Sequence, residues 1–124
     1  MRKQSHQRDL VLAAVKGTCT HPTAANVYDA IHLIEPTVSL ATVYRNLALL
    51  RDQGHILSFK TDDGVEHFDG RTEEHQHFRC LSCGTIYDAF ISLPKLENEM
   101  EANLDCSVEG YALLFYGKCK NCKL

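Results

Sequence analysis

The sequence predicts an α+β protein built as two small units. Three observations lead there: helix-period apolar patterns up to residue 53 that give way to an Asp-Gly hairpin signal, two CxxC pairs in the second half, and opposite net charge in the two halves. A chain of 124 residues fits one ordinary domain by length. It also accommodates two small units if something besides a large core stabilises them.

Arg8–Val15 reads as the first helix, with Gly17 placed to end it. His21-Pro22-Thr23 supplies a turn and a Thr N-cap for a second helix, whose buried face is expected at Val27, Ile31 and Ile34; Pro36 closes it. Ser39 then caps a third helix running to about Gln53, with Gly54 as its stop and Leu40, Val43, Leu47 and Leu50 as the buried stripe. Its other face carries Ala41, Tyr44, Arg45 and Ala48, with Thr42 beside them. Small residues let a helix enter a groove, and Tyr44 and Arg45 can reach phosphates or base edges. An ordinary solvated face is the plain alternative; the preceding short helices and tight turn favour a helix-turn-helix. Two strands, His55–Lys60 and Val65–Asp69, joined through Thr61-Asp62-Asp63-Gly64, complete an expected winged helix over residues 1–69.

Residues 70–74 are polar and short enough for a hinge, and residues 75–124 form the second unit. Strands are expected at His77–Cys80 and Thr85–Phe90 around a Cys-Leu-Ser-Cys-Gly turn, a helix from Pro94 to about Asn103, and a final strand at Tyr111–Tyr116. So small a unit has too few residues for a comfortable core, and a metal staple and a dimer partner would both help.

Charge divides along the same line. Residues 1–60 hold seven Lys/Arg against four Asp/Glu, and residues 61–124 hold six against twelve. A basic first half suits phosphates. No apolar run is long enough to span a membrane, and Met1–Arg8 lacks the apolar stretch of a secretory signal, so a cytoplasmic protein is expected. In that compartment thiols stay reduced, which turns the six cysteines toward metal or redox chemistry. Cys80/Cys83 and Cys119/Cys122 are two CxxC pairs with 35 residues between them. Together they offer four thiolates to one closed tetrahedral structural zinc; disulfides, a redox pair and rubredoxin-like iron are the competing readings. Cys19 and Cys106 fall outside this pattern and are expected as small buried hydrophobes.

A less regular constellation surrounds the first CxxC. His75 and His77, two apart on a strand, point to one side and can share an ion, with Asp69 upstream, Asp88 on the next strand and His21 in the first unit. An HxH pair by itself is equally compatible with solvated histidines.

His21-Pro22-Thr23-Ala24, Ala41-Thr42-Val43-Tyr44-Arg45-Asn46-Leu47, Phe68-Asp69, the run HQHFRCLSCG from His75 to Gly84, and Tyr116-Gly117-Lys118-Cys119-Lys120-Asn121-Cys122 succeed one another in this chain. In that order and over nearly the whole length the chain resembles the ferric uptake regulator (Fur) superfamily. The resemblance implies an N-terminal winged helix-turn-helix, a small α/β dimerisation domain with the four-cysteine zinc site, and a regulatory metal held by His21, Asp69, His75, His77 and Asp88. Iron sensors more often carry Glu at the two carboxylate positions, whereas Asp at both is similar to the peroxide-sensing PerR branch. Family members commonly begin with an additional helix, while Arg8 here opens what corresponds to their second. Gly110-Tyr111 stands where many members have a His for a further metal site, so no third site is expected.

The same resemblance implies a homodimeric repressor of a palindromic double-stranded DNA operator, contacting it through Ser39, Thr42, Tyr44 and Arg45. Three imidazoles and two carboxylates suit Fe²⁺ or Mn²⁺ and accept Zn²⁺. With five protein ligands, a sixth position stays open to peroxide, and His21 and His75 are the expected sites of oxidation. Such a protein inactivates itself and is not an enzyme. The alternative on the same fold is an iron- or zinc-responsive repressor of metal uptake. A metallohydrolase using HxH with carboxylates leaves the Tyr44/Arg45 helix without a purpose, and a zinc-ribbon adaptor would be indifferent to loss of His75.

Overall fold

The computed structural model describes residues 2–123 and divides into two compact units at Glu73/Glu74. In the first, α1 (Arg2–Lys16), α2 (Ala24–His32) and α3 (Leu40–Asp52) are followed by an antiparallel pair, β1 (Leu57–Lys60) and β2 (Glu66–Asp69). The first helix begins six residues earlier than expected, because Arg2-Lys3-Gln4-Ser5-His6-Gln7 favours helix without adding to the apolar stripe that marks its later turns. It stops at Gly17, whose N–H donates to Ala13 O at 2.8 Å.

Thr23 caps α2 reciprocally with Asn26: Thr23 Oγ1 accepts from Asn26 N at 3.1 Å and Asn26 Oδ1 accepts from Thr23 N at 3.0 Å. Val27 and Ile31 are buried as expected, but Ile34 is 67% exposed. The helix has ended by His32, and the turn after it carries Ile34 off the stripe so that Val38 enters the core instead. On α3, Val43, Leu47 and Leu50 are buried, whereas Leu40, expected among them, is exposed at the first turn and Asn46 takes the fourth inward position. The polar Asn46 is tolerated there because its Nδ2 donates to Thr42 O at 3.0 Å. Val11, Val15, Ile56 and Phe68 complete the core.

Both hairpin strands are shorter than expected, with His55, Ile56 and Val65 outside them. Ile56 is fully buried and serves as packing between α3 and the hairpin. The register pairs Leu57 with Asp69 and Phe59 with His67, and Gly64 at φ +81° makes the turn. Arg51 on α3 meets Glu66 on β2 at 3.2 Å, which ties the hairpin to the helix. Gly70 lies against the end of α1 so closely that a Cβ there would sit 2.8 Å from Lys16 Cα. This start of the expected hinge is therefore packed, and Lys16 Nζ donates to its carbonyl at 3.2 Å.

The second unit has a three-stranded sheet in the order β4 (Ile86–Ala89), β3 (Gln76–Cys80), β5 (Phe115–Gly117), with α4 (Pro94–Leu104) between β4 and β5 in sequence. β3 runs antiparallel to β4 and parallel to β5, pairing His77 with Asp88 and Cys80 with Gly117. The expected final strand at Tyr111–Tyr116 is confined to Phe115–Gly117, since the register with β3 begins only at Phe78↔Phe115. Pro94 opens α4 as expected and Asp105 ends it at φ 51°. Cys19 and Cys106 are both exposed, contrary to the expectation of burial, because each falls in the segment that follows a helix end rather than on an inward face.

The reciprocal cap gives a first prediction. Thr23→Ala removes one bond of the box and leaves Asn26 N without its acceptor, so thermal or urea unfolding is expected to show a loss of about 1 kcal/mol. A change below a few tenths would mean that water replaces the cap at no cost.

Candidate metal centres

The four cysteine sulfurs all lie within 4.8 Å of one another. Four sulfurs on one zinc at about 2.3 Å sit about 3.8 Å apart in a tetrahedron, and Cys83 Sγ and Cys119 Sγ are 3.9 Å apart. Local folding produces this closeness. Gly84 at φ +77° lets the chain after Cys80 turn back, and the parallel pairing of β5 with β3 brings Cys119 beside Cys80. The backbone N–H groups of Cys83 and Cys119 both donate to Cys80 Sγ at 3.4 Å.

Those two donors pull the Cys80 thiol down to about 6, while burial acts against them. Tyr87 donates to Cys119 and lowers its pKa; the same bond pushes the Tyr87 phenol up to about 12. Cys122 is driven up to about 12, chiefly by its bonds to Cys119 and Cys80. Without a cation, four sulfurs this close do not all carry charge. A dication supplies what is missing, so the donor set suits a structural zinc.

The histidines and aspartates form two clusters, one in each unit. In the first, His21 Nε2 lies 3.5 Å from Asp69 Oδ2, and both side chains are buried. His21 adopts φ 57°, a left-handed conformation that a non-glycine residue holds only when its surroundings impose it. Here β1 and β2 impose it: His67 Nδ1–H donates to His21 O at 2.8 Å, Phe68 N donates to Pro22 O at 2.8 Å, and the Phe59 ring meets the His21 imidazole edge-on at 5.8 Å. Asp69 accepts Arg71 N at 2.9 Å on Oδ1, which directs Oδ2 to the imidazole.

In the second unit, His75 Nε2 and His77 Nε2 are 3.1 Å apart, and Asp88 Oδ1 lies 3.6 and 3.4 Å from them. Two nitrogens bound at about 2.1 Å to one ion at a right angle are about 3.0 Å apart, so this spacing fits a shared ion. The His77↔Asp88 register of β3 and β4 sets the pair, and the Phe90 ring covers His75 at 5.4 Å. His67 and Tyr87 were not singled out by the sequence reading. The signal for His67 was present, since it lies two residues before Asp69 on one strand and so shares its face.

On α3, Ser39 Oγ accepts Thr42 N at 3.1 Å and donates to Thr42 Oγ1 at 2.9 Å, so both hydroxyls serve the helix start. Tyr44 and Arg45 are exposed.

Three helices with a hairpin, a small sheet, a four-thiolate cluster and His/Asp sets are the features of a protein of mixed α and β structure equipped to bind metal ions. The model of the Ferric uptake regulator family matches residues 2–116, and the chain belongs to that family. It is 33% identical over 118 residues to the peroxide-responsive repressor PerR of Staphylococcus aureus, covering 94% of this chain and 80% of the relative. Among solved structures it resembles the Campylobacter jejuni peroxide stress regulator, with a TM-score of 0.77 and 32% identity over 97% of this chain and 91% of the other. It also resembles the ferric uptake regulator of Francisella tularensis, solved with iron, with a TM-score of 0.73 and 25% identity over 94% of this chain and 91% of that one. Among the described residues no helix is long and apolar enough to cross a membrane.

The sulfur cluster yields two expected outcomes. Cys80→Ser or Cys122→Ser is expected to abolish zinc retention and the cooperative melting of the second unit; a variant that keeps both would refute the zinc assignment. Zinc loading of the stripped protein near neutral pH is expected to release protons, Cys122's among them, and zinc affinity should rise as pH rises because binding needs thiolates. Loading in weak buffer with no acidification would overturn this picture of the unloaded cluster.

Proposed function

We propose that this protein is a metal-dependent transcriptional repressor that binds a palindromic operator as a homodimer and releases it when peroxide oxidises its regulatory site. The observation that carries this reading is the pair of half-sites, buried His21 with Asp69 and buried His75 and His77 with half-buried Asp88, with aspartate at both carboxylate positions. The two half-sites would together hold one Fe²⁺ or Mn²⁺, with Zn²⁺ also accepted by such donors. Their division between the units makes ion binding a constraint on how the units are arranged. An ion that favours the DNA-competent arrangement acts as a corepressor by population shift.

In this reading residues 1–69 bind DNA as a winged helix, residues 70–74 connect, and residues 75–124 dimerise. Tyr44 and Arg45 reach the operator, with Ser39 and Thr42 at the same end of α3. A dimer places two such helices about 34–36 Å apart, one duplex turn. The exposure of Phe90, Leu96, Met100, Leu104, Phe115 and Tyr116 in the second unit supports a protein partner. A repressor of this kind works in the cytoplasm, where the zinc thiolates stay reduced.

His21, Asp69, His75, His77 and Asp88 would hold the ion, and ferrous iron would supply the redox chemistry for O–O cleavage. The chain's own part is to present the His21 and His75 imidazoles to the oxidant, where one peroxide gives one oxygen atom to a ring carbon and leaves as one water, and the oxidised imidazole loses its capacity as a ligand. This is inactivation, not turnover.

The choice of carboxylate at position 69 tests the reading. Asp69→Glu still offers an oxygen but displaces it by a methylene, so it is expected to keep iron-dependent operator binding and lose much of its peroxide sensitivity. Operator binding by Fe²⁺-loaded protein, before and after peroxide, is measured together with peptide mass spectrometry of His21 and His75. Wild-type protein that holds its operator, with neither histidine gaining oxygen, would sink the peroxide reading in favour of a metal-uptake repressor.

A further inference from the structure

His75 stands one residue before β3, and the pairing of β3 with β4 begins after it, at Gln76↔Ala89. On the other edge of β3, pairing with β5 begins only at Phe78↔Phe115. Followed four residues back, from 78 to 74 and from 115 to 111, that parallel register would set Glu74 opposite Tyr111. Side chains there do what the backbone ladder no longer does. Gln76 Nε2 donates to Tyr111 Oη at 3.1 Å, and Tyr111 Oη donates to Glu74 Oε2 at 2.9 Å. The bond to Glu74 raises the Tyr111 phenol above its ordinary pKa, so the proton stays on Oη and the direction of both bonds is fixed. Gln76 is buried, which shields its bond from competing water.

Successive side chains of an extended chain point to opposite sides, so Glu74 and Gln76 share one side and His75 and His77 the other. The contacts follow that division. The two imidazoles meet at 3.1 Å beside Asp88, whereas the residues before and after His75 both end on one phenol oxygen. Fixing both neighbours of a residue at a single point restrains the backbone rotations of the residue between them. We propose that Tyr111 is a positioning residue for His75, a clasp that sets its imidazole in place for the regulatory ion. The inference deepens the metal-site reading above and rests on it. A group standing behind a ligand raises affinity by fixing the ligand's orientation before the ion arrives. Because Glu74 is the first residue of the second unit, the clasp also fixes where the connecting segment enters that unit.

The test measures Mn²⁺ binding to the whole chain with its zinc retained, followed by the EPR signal of the free ion. Tyr111→Phe removes only the hydroxyl and is expected to weaken Mn²⁺ binding about tenfold, the lower end of what losing a partner behind a ligand costs. Zinc content and melting temperature before Mn²⁺ is added should stay as in wild type. Gln76→Met, close in shape but without the donor, should give the same loss, and it carries the test if Tyr111→Phe fails to fold. The double variant should bind no more weakly than either single one, because both changes open one clasp. Glu74→Gln keeps an acceptor for the phenol and should bind Mn²⁺ as wild type does. In iron-loaded protein exposed to peroxide, Tyr111→Phe should shift the added oxygen from His75 towards His21; an even fall at both histidines would overturn the claim for His75. Unchanged Mn²⁺ affinity in folded Tyr111→Phe and Gln76→Met, beside a loss in His77→Ala, would overturn the clasp and leave the metal-site reading standing. If His77→Ala itself binds Mn²⁺ as wild type does, the metal-site reading fails, and this proposal with it.

Discussion

Among the described residues from Glu74 onward, the only buried apolar side chains are Cys80 and Cys119. The other buried positions there are His75, Gln76 and His77, and α4 buries nothing. A sheet of three short strands cannot be held by so little apolar burial, so its closure depends on the sulfurs. The geometry agrees: the two buried cysteines sit at the end of β3 and just after β5, where parallel pairing brings those ends together. A zinc bound there does what a hydrophobic core does elsewhere, and it also fixes the start of β4, which carries Asp88. His75, His77 and Asp88 thus inherit their positions in part from the sulfur cluster.

The first unit is stabilised differently. Its core is a contiguous apolar cluster drawn from all three helices, Ile56 and Phe68, and it needs no metal. What it builds on that core is strain at a single residue. His21 sits in a left-handed conformation that costs on the order of 1 kcal/mol or more, and the hairpin holds it there through the bonds of His67 and Phe68. The imidazole that faces Asp69 is therefore positioned by the same strands that the repressor reading assigns to the wing. A metal that draws on His21 acts on a residue already coupled to the hairpin, with no long relay required.

Much of this was legible in the sequence because the signals were local. Caps at Thr23 and Ser39, the Asp-Gly turn, Pro94 and the CxxC spacing are each read from a few residues. Ile34 was misread because a stripe extrapolated past the end of α2 assumes a period the chain no longer keeps, whereas Leu40 keeps the period of α3 but stands in its first turn, where the core does not cover it. The last strand was overestimated because strand propensity at Tyr111–Leu114 does not supply a partner, and pairing with β3 starts only at Phe115. Burial of Cys19 and Cys106 was a prior about residue type, and position overrode it. His67 escaped because it acts across the fold, on a backbone carbonyl 46 positions earlier.

The charge split acquires a more specific meaning in the structure. Of the basic residues in the first half, Arg51 is spent on Glu66 and Lys16 on the Gly70 carbonyl, so neither is available to a phosphate without breaking a contact that shapes the unit. Arg8 and Arg45 are not committed in this way, and they converge on one hollow from two helices. Cationic side chains left without carboxylates raise the local potential, at a cost in mutual repulsion that a bound anion relieves. The acidic second half has no such arrangement; its carboxylates at Glu74 and Glu101 are tied to Tyr111 and to the backbone of Val108. The difference between the halves is thus carried less by net charge than by which charged groups the fold leaves unmatched.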